Sequence, residues 1–417
     1  MLTALHPRVG PEATTAPSPA PFVATGPGAP SPLGSPLGLY LHVPFCAHIC
    51  PYCDFNTYAG QGHLIPRYVA ALRRDIESRG TALRGRPAAT IFFGGGTPSL
   101  LPAADVDRLM RSCRDAFVLA ADAEVTLEAN PNAVDERYFA DLLAAGVNRL
   151  SLGVQSTRRR GLRALGRLHE AADSATAVAA ARSAGFANVS LDLIFGWPGQ
   201  TPDDLHADLD AVLGGDLGGT IPEHLSLYGL IVEPGTPMAD AVTRGVVNVP
   251  DDDASADLYE AAMATLAATG FAHYEVANWA REPGLASRHN LVYWRNGDYV
   301  GFGAGAHGSV AGRRTMNHLL PATYCAAIER GETPVSNLET ISPTTAIGET
   351  MMLGLRLLRE GVSFAAFAER HGATIDEVFG RDLADLEAVG LLERRADRVR
   401  LTRRGLMLAN DVCARFV

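Results

Sequence analysis

The chain has 417 residues, 47% of them hydrophobic, with 36 basic against 46 acidic side chains and a net charge of -10. That is material enough for one barrel-sized domain and a smaller one, and the acidic balance disfavours a nucleic-acid surface, which depends on clustered cations. Every basic side chain is Arg, so the absence of Lys excludes a Walker A lysine and Schiff-base catalysis.

Residues 1 to 38 hold nine Pro and five Gly with Arg8 as the lone basic charge, a composition that reads as a disordered tail. The first residues lack the order of a secretory signal, and no run approaches the roughly 20 apolar residues that cross a bilayer. A cytoplasmic location is the expectation. From Leu39, short β-rich runs alternate with helical ones. The strands fall at Leu39 to Val43, Thr90 to Phe93, Glu124 to Ala129, Arg149 to Val154, Val189 to Phe195 and His224 to Leu230. Helices are predicted at Ile65 to Ser78, Ala103 to Phe117, Asp135 to Ala145, Ala171 to Ala184 and Pro202 to Leu213. Six strand-helix units predict an α/β fold with a parallel sheet, doubly wound or curled into a partial (β/α)6 barrel over residues 39–270, whose chemistry gathers at the C-terminal strand ends. Beyond Gly270 the pattern turns irregular, giving an accessory segment at 271–342. Residues 343–417 read as short helices and two alternating strands about Ala396 and Asp397, a winged-helix-like α+β module expected to cover the barrel rather than bind DNA.

Three of the six cysteines, Cys46, Cys50 and Cys53, fall in one loop after the first strand. Cys113, Cys325 and Cys413 are scattered and read as small buried apolar side chains. No disulfide framework follows from this distribution. Zinc would normally bring a second ligand pair at recognisable distance, and none follows. Fe-S clusters usually take four Cys, so three close thiols leave one iron open to an external ligand.

The CxxxCxxC spacing resembles the radical-SAM superfamily. The resemblance implies a [4Fe-4S] cluster on Cys46, Cys50 and Cys53, whose open iron chelates the amino and carboxylate groups of S-adenosyl-L-methionine. Reductive cleavage of a C–S bond then gives a 5'-deoxyadenosyl radical, or the cofactor stays bound without turnover. Gly94-Gly95-Gly96-Thr97-Pro98 at the second strand end resembles the family's GGGTP motif. Further strand ends supply Glu128 in "TLEANP", Gln155 in "SLGVQS" and Asp192 in "LDLIFGWPGQT", with Arg167 in "LGRLH". Polar groups within apolar runs want a ligand or each other.

"GLYLHVPFC", "GVQS", "DLIFGWPGQT" and the C-terminal module narrow the resemblance to the branch holding the oxygen-independent coproporphyrinogen III oxidases and the HemW-type haem chaperones. Carried over residue by residue, it implies cofactor contacts at Tyr40, Tyr52, Gly95, Gly96, Thr97, Glu128, Gln155, Arg167 and Asp192, with Gly229 and His307 near later contact positions where the branches diverge. The oxidases carry another Cys two residues after the third cluster thiol, where this chain has Phe55. His289-Asn290-Leu291-Val292-Tyr293-Trp294 matches the HNxxYW element associated with haem in the chaperones. His289 could ligate haem iron, with Tyr293 and Trp294 as flat apolar surface, or could position the porphyrin. The function so implied is haem binding and delivery to an acceptor protein, a respiratory enzyme for instance. The alternative is a radical-SAM oxidoreductase or methyltransferase acting on a tetrapyrrole.

Overall fold

The computed structural model describes residues 36–83 and 86–417. Most of the expected tail lies outside the described residues, but its boundary moves. Leu37 and Gly38 already belong to the first strand, where Gly38 pairs with Tyr299 on one side and Thr90 on the other, and Leu37 is fully buried.

Six parallel strands build the centre: β1 (Leu37–Val43), β2 (Pro87–Gly95), β3 (Val118–Ala129), β4 (Arg149–Gln155), β5 (Val189–Phe195) and β6 (His224–Gly229). Between them run α1 (Ile65–Ala82), α2 (Ala103–Ala116), α3 (Glu136–Ala145), α4 (Ala171–Ala184) and α5 (Pro202–Leu213). Strand alternation of period two explains the layering. Leu39, Leu41, Leu150, Leu152, Leu191 and Leu193 face the helices and join one apolar core. Their neighbours Tyr40, His42, Ser151, Ser190 and Asp192 face inward, so the lumen is polar. Local signals fix the helix ends: Asp135 caps α3 by accepting from the Tyr138 amide, and Thr201 with Asp204 forms a capping box on α5.

The sheet continues past the sixth strand. β7 (Ala272–Glu275) and β8 (Asn278–Ala280) add a hairpin beside β6, while β9 (Tyr299–Phe302) lies parallel to β1 on the other flank. β10 (His307–Val310), β11 (Arg313–Asn317) and β12 (Val335–Thr340) follow, giving twelve strands among the described residues in the order β12-β11-β10-β9-β1-β2-β3-β4-β5-β6-β8-β7. The stretch after Gly270 carries no clear period because these strands are only three to six residues long, too few for an alternation to show. The C-terminal module has its own core of Met351, Leu355, Phe367, Leu383, Val399 and Phe416. Its sheet pairs β13 (Val362–Ser363) with β15 (Arg398–Leu401), and β15 with β14 (Leu392–Arg395) across the Ala396–Asp397 turn.

That module covers the N-terminal end of the barrel. The Leu358 amide donates to the Tyr274 carbonyl at 3.0 Å, and the Arg370 guanidinium to the Asn296 carbonyl at 2.9 Å. The opposite end, where β1 and β2 finish, carries the cysteine loop.

Candidate metal and cofactor site

The cysteine loop leaves β1 through Pro44. Phe45–Cys46 pairs with Tyr58–Ala59, the Tyr58 amide donates to the Pro44 carbonyl at 2.7 Å, and the Cys53 amide to the Cys50 carbonyl at 3.0 Å. These bonds close the loop at its neck and at its turn, leaving all three thiols half-buried. Among the described residues no three His, Cys, Asp or Glu side chains converge on a single metal-ion position. A cubane asks for something different, since each thiolate binds a separate iron and the sulfurs stand apart. Burial raises the Cys46 thiol and pushes Cys53 up to about 11, so these groups are protonated in the metal-free loop and iron must displace the protons. Cys113, Cys325 and Cys413 are buried in the helical layers and the C-terminal core, where they cannot join the loop.

A polar chain holds two of the thiols. Thr97 Oγ1 donates to Cys46 Sγ at 3.5 Å and accepts from Asn130 Nδ2 at 3.0 Å. Asn130 Oδ1 accepts from Arg167 Nη2 at 2.5 Å, and Arg167 Nη1 donates to Cys50 Sγ at 3.5 Å. Arg167 also reaches the Gly153 carbonyl at 3.3 Å, while its buried Nε has no partner. Gly166 lets this segment approach: a Cβ there would stand 2.4 Å from Pro51 Cδ, inside the cysteine loop. The Gly96 and Thr97 amides bond the Val43 and Phe45 carbonyls at 2.9 and 2.8 Å, tying the glycine run to the loop.

Inside the lumen, Glu128 accepts from the Gly95 amide at 3.1 Å. Gly95 has φ +114, and a Cβ there would meet the His42 ring at 2.4 Å, so only glycine fits. Asp192 takes the Ser151 hydroxyl at 2.8 Å and the Ser190 hydroxyl at 3.3 Å. Burial, then the charge of Asp192, pushes Glu128 up to about 8; burial also raises Asp192, opposed by the Ser226 and Ser151 hydroxyls and by Arg149. Gln155 closes β4 with φ +64, an uncommon conformation for a non-glycine residue, and the β4–β5 register shifts there. The strand therefore ends with its last side chain turned out of the regular pleat.

Tyr40 stands midway along the lumen. The Asn56 carbonyl can only accept, so His42 Nε2, 3.0 Å away, carries the proton and Nδ1 accepts from the Tyr40 hydroxyl at 2.9 Å. From the other side His289 stacks on Phe92 with ring centroids 5.1 Å apart, and on Tyr40 at 6.4 Å. His289 sits on α6 (Arg288–Trp294), at the N-terminal end of the barrel. It is 1% exposed, with Nδ1 2.8 Å from the Thr90 hydroxyl and Nε2 2.8 Å from the Tyr293 hydroxyl. An axial ligand needs a ring nitrogen that iron can reach, and here both are engaged inside the fold. As it stands the ring braces Thr90, Tyr293 and Tyr40 against one another.

Tyr52 packs beside Leu165, Ile194 and Trp197 next to the loop. Gly229 ends β6 and is exposed; His307 opens β10 opposite Met316, beyond β9 from the cysteine loop. The structure thus gathers Gly96, Thr97 and Arg167 at the loop, with Glu128, Asp192 and Tyr40 below them, and sets His289 at the far end. Sequence reasoning missed Asn130, Ser151 and Arg149. Asn130 lay inside the quoted "TLEANP" segment, and its signal was a second polar residue directly after a strand end.

Residues 40–212 match the Radical SAM superfamily model, and residues 341–408 the HemN C-terminal domain. The chain is 44% identical to the Heme chaperone HemW of Mycobacterium tuberculosis, over 92% of this chain and 95% of that one. Identity to the HemW of Bacillus subtilis is 39% over 91% and 98%, and to that of Escherichia coli 38% over 92% and 98%. Among solved structures, the coproporphyrinogen III oxidase HemN of Escherichia coli superposes with a TM-score of 0.79 at 25% identity, covering 91% of this chain and 90% of that one.

Proposed function

The chain belongs to the HemW family of heme chaperones, with the radical SAM domain of that superfamily, and on this premise we propose that it binds haem and passes it to an acceptor haem protein. Cys46, Cys50 and Cys53 hold a [4Fe-4S] cluster in this reading, and S-adenosyl-L-methionine binds beside it. When bound, the two together supply one-electron chemistry at a C–S bond. The chain's own part is to orient: Arg167, fixed by Asn130, offers a cation to the cofactor's carboxylate, while Glu128 and Asp192 offer acids to its ammonium and ribose hydroxyls. Tyr40, Tyr52, Gly95, Gly96, Thr97 and Gln155 complete the walls, and the HNxxYW helix braces Tyr40 from below. A thiol-ligated cluster suits the reducing cytoplasm. Among the described residues no helix is long and apolar enough to cross a membrane.

The observation that carries the chaperone reading over the oxidase one is Phe55. Where the oxidases have a further Cys, this side chain is 54% exposed on the loop. The test incubates reconstituted protein with dithionite, S-adenosyl-L-methionine and coproporphyrinogen III. We expect no protoporphyrinogen IX, alongside saturable haem binding and transfer to an apo haem protein. Protoporphyrinogen IX formed at a turnover rate would overturn the reading.

A further inference from the structure

We propose that Arg149 is a positioning residue for the cofactor, the buried cation that balances Glu128 and Asp192 so that this acidic pair can receive the cationic groups of S-adenosyl-L-methionine. The inference rests on the cofactor reading above and adds a residue that touches none of the expected cofactor contacts.

Arg149 opens β4 and is 2% exposed. Its strand neighbours Leu150, Leu152 and Val154 belong to the outer core, so alternation turns Arg149 and Ser151 to the lumen. Ser151, one inward step further along, donates to both oxygens of Asp192 at 3.0 and 2.8 Å. Inward residues two apart on a strand are about 7 Å apart, and Arg149 is in register with Thr126 while Ser151 is in register with Glu128, so Arg149 holds the inward strand position one step below that of the acidic pair. Among the described residues no carboxylate lies within ion-pair distance of Arg149, its Nε has no partner, and neither does the Thr126 hydroxyl on the facing position of β3. Glu124, another buried acid on β3, is occupied: its carboxylate accepts from the Arg288 and His289 amides at 3.0 and 2.9 Å.

A desolvated guanidinium without a touching acid is expensive, and a cluster of desolvated acids without a cation is equally so. Placed on one lumen face, each offsets the other. The remaining titratable groups facing the pair do not supply positive charge. Tyr40, Tyr228 and Tyr293 are raised by burial and stay neutral, His224 and His289 are lowered by burial and stay neutral, and Glu275 beside Tyr228 is itself raised by burial. Arg149 opposes the upward shift of both acids. Its role is to keep them able to ionise when a cationic ligand arrives.

The experiment measures S-adenosyl-L-methionine binding to the cluster-loaded protein by calorimetry from mildly acidic to alkaline pH, in the parent, Arg149→Met and Arg149→Lys. In Arg149→Met the pH midpoint for binding should move up by about one unit, with affinity at neutral pH down about tenfold and recovering at high pH. Arg149→Lys should follow the parent, and iron content should be equal in all three. Coincident profiles for Arg149→Met and the parent would overturn the inference alone; a parent that binds no cofactor would overturn the cofactor reading and this inference with it. Should Arg149→Met fail to fold, the charge-removing Arg149→Gln takes its place: a midpoint raised by about half a unit or more supports the counter-charge, and a smaller shift overturns it.

Discussion

His289 and Tyr293, one helical turn apart on the same short helix, hydrogen-bond to each other at 2.8 Å while the other imidazole nitrogen is held by Thr90 of β2. The HNxxYW element is therefore pinned into the base of the barrel, about one strand length from the cysteine loop, and the C-terminal module closes over it. In this arrangement both ring nitrogens of His289 are engaged inside the fold.

Haem titration into His289→Phe should leave the Soret position where it is in the parent. Stability should fall by about 1–3 kcal/mol, because the Thr90 and Tyr293 hydroxyls lose a buried partner. Absorption spectra and a denaturant melt measure the two effects separately. A displaced Soret band with unchanged stability would restore His289 as the axial ligand.

The same residue shapes the acid limb of stability. Burial, then the charge of Arg149, lowers His289 to about 3, and burial lowers His42 and His273 to about 4. Unfolded imidazoles take up protons near pH 6.5, so between there and the folded values the unfolded chain binds more protons and stability rises with pH. The contribution of these three imidazoles is complete above about pH 6.5 and is lost as pH falls toward 3. A melting-temperature series against pH should show that slope, shallower in His289→Phe; identical slopes in the two proteins would contradict the assignment.

Single Cys→Ala changes at Cys46, Cys50 or Cys53 should each abolish the cluster, since no other thiol among the described residues reaches the loop. The same change at Cys113, Cys325 or Cys413 should keep full iron and sulfide content and cost about 1 kcal/mol of packing. Iron lost from any of these last three variants would break the ligand assignment.

Asn130→Ala removes the link between Thr97 and Arg167. Both thiol contacts then lose their common anchor, and the buried guanidinium loses its 2.5 Å acceptor. We expect a cluster that bleaches faster in air and cofactor affinity reduced roughly tenfold, a loss of about 1.4 kcal/mol. Calorimetry and the decay of the cluster absorption check it, and parent-like values in both would show the chain to be incidental.

The sequence by itself determined the local chemistry. Three thiols in eight residues and a glycine run at a strand end are legible because ligand spacing and chain direction are local, and Phe55 carries meaning only through the resemblance to the oxidases. Six central strands and their helices were legible for the same reason, since period and capping act over a few residues. The tertiary structure alone decided which of these parts meet. Thr90 and His289 are 199 residues apart in sequence, and Asn56 and Leu319, which bond at 3.0 Å, are 263 apart. No periodicity carries such pairings, because they arise when the sheet curls and β9 closes against β1. That pairing brings His289 to the base of the lumen beside Thr90, whereas a motif read along the chain could place the HNxxYW histidine only in sequence and not at the end of the barrel remote from the cysteines.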